Sequence, residues 1–81
     1  MLTNELKKGA RVQLRNGWYA TVFDNAKGQT RLCEVEGICT EIGSVYSHDI
    51  VLFYPTSGSA VKVEHTEKQM NLREQVAMLG F

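Results

Sequence analysis

The sequence predicts a mainly β fold, a small barrel or β-roll of five to six strands with one C-terminal α-helix. Three observations carry that expectation. Asn16-Gly17, placed between the alternating Val12 and Leu14 and the run Trp18 to Val22, is a hairpin-turn signal. Short β-branched and aromatic runs then recur between turn formers, with no helical period before residue 66. Thr66-Glu67-Lys68-Gln69 has the form of a capping box ahead of Met70, Leu72 and Val76.

At 81 residues the chain reads as one domain, near the lower limit of what a hydrophobic core sustains without staples. Residues 1–8 form a polar lead-in with room for one helical turn capped by Thr3. The barrel is expected over 9–65 and the helix over 66–80. Within the first hairpin, the turn length decides which side chains are buried. A two-residue Asn16-Gly17 turn pairs Leu14 with Tyr19. A three-residue Arg15-Asn16-Gly17 turn, with Gly17 left-handed, pairs Leu14 with Trp18 and Val12 with Ala20. The second register gathers Val12, Leu14, Trp18, Ala20 and Val22 on one face and leaves Arg11, Gln13, Tyr19, Thr21 and Phe23 on the other. That cleaner segregation is the expected one, with Trp18 as a core anchor.

Residues 24–29 are rich in turn formers and separate the second strand from a third over Thr30 to Val35. Glu36-Gly37 marks the next turn, into Ile38–Ile42. Gly43 breaks that run and Ser44-Val45-Tyr46 resumes it. Ser47-His48-Asp49 reads as a short turn, Ile50 to Tyr54 as a strongly apolar strand, and Pro55-Thr56-Ser57-Gly58 as a loop. A last alternating strand runs through Val61 and Val63. The helix carries Met70, Leu72, Val76 and Leu79, with Gly80 at its stop. Its apolar stripe is expected to cover the protein's own sheet.

Net charge is zero but unevenly spread. Residues 1–31 hold six cations against two anions (+4), and residues 32–81 hold three cations against seven anions (−4). That pattern suggests a two-signed surface rather than a uniformly basic nucleic-acid binder. No apolar run approaches the roughly 20 residues of a membrane helix. The N-terminal charges are followed by no apolar segment, so a cytoplasmic protein without membrane attachment is expected. Cys33 and Cys39 are then expected as reduced core thiols. A tight hairpin around Glu36-Gly37 leaves a disulfide geometrically conceivable.

No constellation of an enzyme stands out. Ser47, His48 and Asp49 are the residue types of a triad, but consecutive residues are badly placed to reach opposite nitrogens of one imidazole. A polar turn, with Asp49 accepting backbone N–H bonds, is the expected reading. Cys33, Cys39, His48 and His65 are separated by 5, 8 and 16 residues, which matches no zinc-finger spacing. No metal site and no cofactor are expected. Glu34, Glu36 and Glu41 read as a solvated strand face, and Lys27-Gly28 as a turn rather than a phosphate loop. What remains is a basic and aromatic set: Arg11, Arg15, Lys27 and Arg31 with Tyr19 and Phe23, joined by Tyr54 as a further aromatic anchor. Cations track phosphates and aromatic faces stack bases, but long basic side chains lying over outward aromatics also make an ordinary solvated surface.

Lys8-Gly9-Ala10-Arg11-Val12-Gln13-Leu14-Arg15-Asn16-Gly17, followed by Ala20-Thr21-Val22, resembles the opening of KOW-type and related SH3-like small β-barrels. Those begin with Gly, a charged residue and Val before the hairpin turn. Here Tyr19-Ala20-Thr21 replaces the second glycine usually found before the closing Val. Gly43-Ser44-Val45-Tyr46-Ser47-His48-Asp49-Ile50 also looks like small proteins of tailed phages and prophages. The mixed-sign surface, the lack of a catalytic constellation and the apolar stripe of the helix lead us to expect a non-enzymatic module that binds a protein partner, as a phage accessory protein acting on a host factor would. A weak nucleic-acid binder using the basic and aromatic face is the alternative, and an exposed edge strand would favour a homodimer.

Overall fold

The hairpin sets the frame. In the computed structural model, which describes residues 1–24 and 30–78, β1 (Arg11–Leu14) and β2 (Tyr19–Asp24) pair with Val12 opposite Ala20 and Gln13 opposite Tyr19. The turn is the three-residue Arg15-Asn16-Gly17. The Gly17 amide donates to the Leu14 carbonyl at 2.9 Å, and the Leu14 amide donates to the Trp18 carbonyl at 2.7 Å. Gly17 has φ of +93°, a conformation in which a Cβ is strained. Asn16 secures the turn from the side, its Oδ1 accepting the Trp18 amide at 3.0 Å.

β3 (Thr30–Glu36), β4 (Thr40–Tyr46), β5 (Ile50–Tyr54) and the short β6 (Val61–Lys62) complete one antiparallel sheet in the order β4-β3-β2-β1-β5-β6. β1 therefore lies inside the sheet, paired with β2 on one side and β5 on the other. Register shifts between Val22 and Asp24 and between Gln13 and Leu14 bend the sheet. It curves over a core that includes Val12, Ala20, Val22, Cys33 and Ile50, all fully buried. Gly43 does not break its run: β4 continues through it, opposite Cys33, without a bulge. Val63 falls just past β6 yet is buried, its amide held by the Val51 carbonyl at 2.9 Å.

The lead-in does more than its polarity predicts. Thr3–Glu5 form a 3₁₀ turn, with the Leu2 amide donating to Glu5 Oε2 at 2.8 Å. Spacing of three eclipses side chains on such a turn, so Thr3 and Leu6 both face inward and both are buried. Thr3 does not cap the turn; its hydroxyl donates to the Ser47 carbonyl at 3.2 Å.

Ser47–Asp49 form a second 3₁₀ turn between β4 and β5, and α1 (Glu67–Met78) packs against it. The predicted capping box is present. Gln69 Oε1 accepts the Thr66 amide at 3.0 Å, and Thr66 Oγ1 accepts the Gln69 amide at 3.2 Å. The helix buries Gln69, while Met70, Leu72 and Val76 are only half-buried and Met78 is 86% exposed. Leu79 and Gly80 lie outside the described residues. Among the described residues no helix is long and apolar enough to cross a membrane.

Two buried-face expectations need correction. Trp18 shares the inner face with Leu14 but remains 43% exposed, because it lies at the hairpin end, beyond the last core layer. Its ring lies on Gly37, where a Cβ would come within 2.5–2.7 Å of three ring carbons. Cys39 is exposed in the β3–β4 turn, whereas Cys33 is in the core, and both are free thiols. The turn itself occupies Gly37-Ile38-Cys39, so Cys33 is opposite Gly43 rather than Cys39. Burial raises the Cys33 thiol above its ordinary value, opposed in part by the Arg31 charge.

Substitution Gly17→Ala should lower unfolding stability by about 1–2 kcal/mol, because alanine must take the left-handed conformation; a denaturant midpoint equal to wild type would refute the turn assignment. A thiol reagent added to the folded protein should label Cys39 rapidly and Cys33 only on unfolding. Equal labelling rates, read by mass after proteolysis, would contradict the burial of Cys33.

Candidate functional site

Alternation along β1 turns Val12 and Leu14 inward and Arg11 and Gln13 outward. Register then sets Arg11 between Thr21 and Tyr54, and Gln13 between Tyr19 and Leu52. Arg11, Tyr19 and Tyr54 thus meet on the outer face. The two tyrosine rings lie 5.8 Å apart at 49°, and the Arg11 guanidinium carbon is 5.3 Å from the Tyr19 centroid. The Tyr54 hydroxyl donates to Gln13 Oε1 at 3.1 Å. Partial desolvation, and then the neighbouring Tyr19 phenol, holds the Tyr54 phenol above its ordinary value.

The cations expected to contact phosphate are engaged elsewhere. Arg11 is ion-paired with Glu36 and donates to Thr21 Oγ1 at 3.4 Å. Arg15 is tied to the second 3₁₀ turn: Nη2 donates to the His48 carbonyl at 2.6 Å, and Nε lies 3.6 Å from Asp49 Oδ1. Arg31 is not on the surface at all. It shares the inner face of β3 with Cys33, is 1% exposed, and donates to Asn4 Oδ1 at 2.6 Å and to the Thr30 carbonyl at 3.0 Å. Burial pulls its guanidinium below the ordinary value. Phe23 is the extra residue of the β2 bulge, between Val22 opposite Cys33 and Asp24 opposite Leu32, and is half-buried. Lys27 lies outside the described residues.

A second feature was less legible. A groove of about 540 Å³ runs between the end of the first hairpin and β4. Leu14 and Trp18 bound one side and the strand from Glu41 to Tyr46 the other, with Val35 between and the Arg15–Asp49 pair at one end. The sequence names Trp18 as the first residue after the turn. Only the pairing of Tyr19 with Glu36 reveals that its ring must come over Gly37 and stop short of the core.

Ser47, His48 and Asp49 form no triad. Ser47 Oγ and His48 Nδ1 are buried and make no hydrogen bond, while His48 Nε2 stands 3.6 Å from Asp49 Oδ1. The Asp49 carboxylate faces Arg15 and His48 instead of the backbone amides expected for it. His48 stacks on Tyr46, with centroids 5.1 Å apart and planes at 13°. Nearby, His65 Nε2 lies 2.8 Å from the Ile50 carbonyl. Among the described residues no three His, Cys, Asp or Glu side chains converge as metal ligands.

No family model, curated protein or solved structure matches this chain.

Burial lowers the His48 pKa below 6.5, more than the neighbouring Asp49 raises it. The folded state therefore holds His48 neutral while the unfolded state takes up a proton as pH falls through the mid-6 range. Stability is fully present above that range and declines toward the lower folded-state value. Urea midpoints should fall between pH 7.5 and pH 5, and His48→Gln should flatten that slope. An unchanged slope in the variant would show that His48 does not govern it.

Proposed function

We propose that this chain is a cytoplasmic, SH3-like β module that binds a protein partner without catalysing a reaction, with the Trp18 groove as its contact site. The strand order supports the SH3-like part: β1 to β4 run consecutively, and a 3₁₀ turn then leads into β5 beside β1.

One observation carries the binding reading. Trp18 is 43% exposed, and its ring lies over Gly37 where an added Cβ would clash with it, beside a groove of about 540 Å³. That volume falls within the roughly 300–1,000 Å³ range of ligand pockets. A tryptophan held rigid against backbone loses little freedom on binding, and such residues dominate binding energy at protein interfaces. The outer face supplies Tyr19 and Tyr54 as further aromatic contacts. Because Arg11 and Arg15 are each neutralised by a carboxylate, little unpaired positive charge is available there for a polyanion.

The test compares the immobilised wild-type chain with Trp18→Ala in lysate of the native host. A retained protein should weaken by about 30-fold in the variant, as expected for loss of a hot-spot residue worth about 2 kcal/mol. A parallel titration with single-stranded DNA at low salt should show no binding. Equal retention by the variant, or DNA affinity that falls steeply with salt and with Arg11→Ala, would overturn the proposal.

A further inference from the structure

β4 is a free edge of the sheet, with β3 its only strand partner among the described residues. Proteins normally blunt such an edge with charge, proline, a bulge or brevity. β4 has none of these to a useful degree. It runs seven residues, Thr40 to Tyr46, with Glu41 as its one charge and no proline. Its ladder to β3 holds seven consecutive pairs without a shift, although the β2–β3 and β1–β5 ladders are both bulged. Ile42 is 64% exposed along it. The opposite edge, β6, is only two residues long.

Gly43 stands at the midpoint of this strand, and among the described residues neither its backbone conformation nor a close neighbour requires glycine there. Gly9, Gly17 and Gly58 have positive φ, and Gly37 is covered by the Trp18 ring. At Gly43 φ is ordinary, and an added Cβ would meet nothing within 4 Å. Glycine weakens a strand interior, and where no bulge or bend needs it, it marks the close approach of a ligand or of another backbone; Gly43 lies on the free edge as well as beside the groove.

We infer that β4 pairs antiparallel with β4 of a second copy across a two-fold axis at Gly43, joining the two sheets. That centre is the register that overlaps all seven residues. It sets Gly43 opposite its own copy on the inner face, where side chains of two curved sheets crowd most. Opposed residues in an antiparallel pair share a face, so Glu41 meets Val45 and Ile42 meets Ser44 of the other copy. The two Glu41 side chains then stand four residues apart along the strand, about 13 Å, beyond the roughly 8 Å screening length at physiological salt. The strand is self-complementary, as an isologous interface requires.

Light scattering across about 1 μM to about 1 mM protein tests this. Wild type should approach twice 9.1 kDa at high concentration. Gly43→Val should stay at monomer mass over the whole range, with circular dichroism and thermal midpoint at or above wild type, since the monomer has room for the side chain. Ile42→Lys, which puts a charge on the edge but leaves Gly43 intact, should weaken the dimer at least 10-fold. A wild type that remains at monomer mass overturns the inference, and so does a dimer that survives Gly43→Val unchanged.

Discussion

The structure depends on one register, that of β1 against β2. Side chains alternate along a strand, so a slip of one residue would send Val12 and Leu14 to solvent and Arg11 and Gln13 to the core. The left-handed Gly17 and the Asn16 side chain fix the three-residue turn, and with it the pairing of Val12 with Ala20. β5 joins the other side of β1, with Phe53 opposite Val12 and Tyr54 opposite Arg11, so the same alternation sorts its residues inward and outward. Both candidate contact regions follow from it. Tyr19 faces out beside Arg11, and Trp18 emerges at the groove.

A polar layer lies beneath α1, whose apolar stripe was expected to cover the sheet. Thr3, Ser47, His48 and Gln69 are all buried there, among the N-terminal turn, the second 3₁₀ turn and α1. Thr3 and Gln69 make hydrogen bonds, while Ser47 Oγ and His48 Nδ1 make none. A buried group without a partner costs on the order of 1–3 kcal/mol. α1 therefore rests on a layer with little apolar surface to offer. That agrees with a helix whose Met70, Leu72 and Val76 stay half-exposed.

Legibility in the sequence followed the range of the interactions involved. The hairpin register, the Thr66–Gln69 capping box and the strand of Ile50 to Tyr54 rest on contacts within a few residues, and each could be read directly. The burial of Arg31 could not. Arg31 was expected among the surface cations, and the partner that satisfies it is Asn4, 27 residues away. Leu6 looked like part of a polar lead-in because nothing local shows that the N-terminal turn reaches Ser47. Trp18 failed for a different reason. Its face was right, but a face says nothing about whether the core extends that far along the strand. The groove arises from that shortfall, so it was invisible until β4 was placed.

The charge asymmetry of the chain takes on a different meaning in three dimensions. The basic first third and the acidic remainder do not form two separate poles. Arg11 meets Glu36 because β1 and β3 flank β2, and Arg15 meets Asp49 because the hairpin tip lies against the turn before β5. Exposed pairs of this kind contribute only about 0–1 kcal/mol each, so they do little to hold the fold together. Their larger effect is on the surrounding field. A cation beside a carboxylate projects little potential beyond a screening length, and the outer face is left with aromatic rings whose neighbouring charges are locally balanced. Recognition on such a face must rest on shape and apolar contact. On the proposed reading Tyr19 and Tyr54 supply both on that face, and Trp18 supplies them at the groove on the inner side.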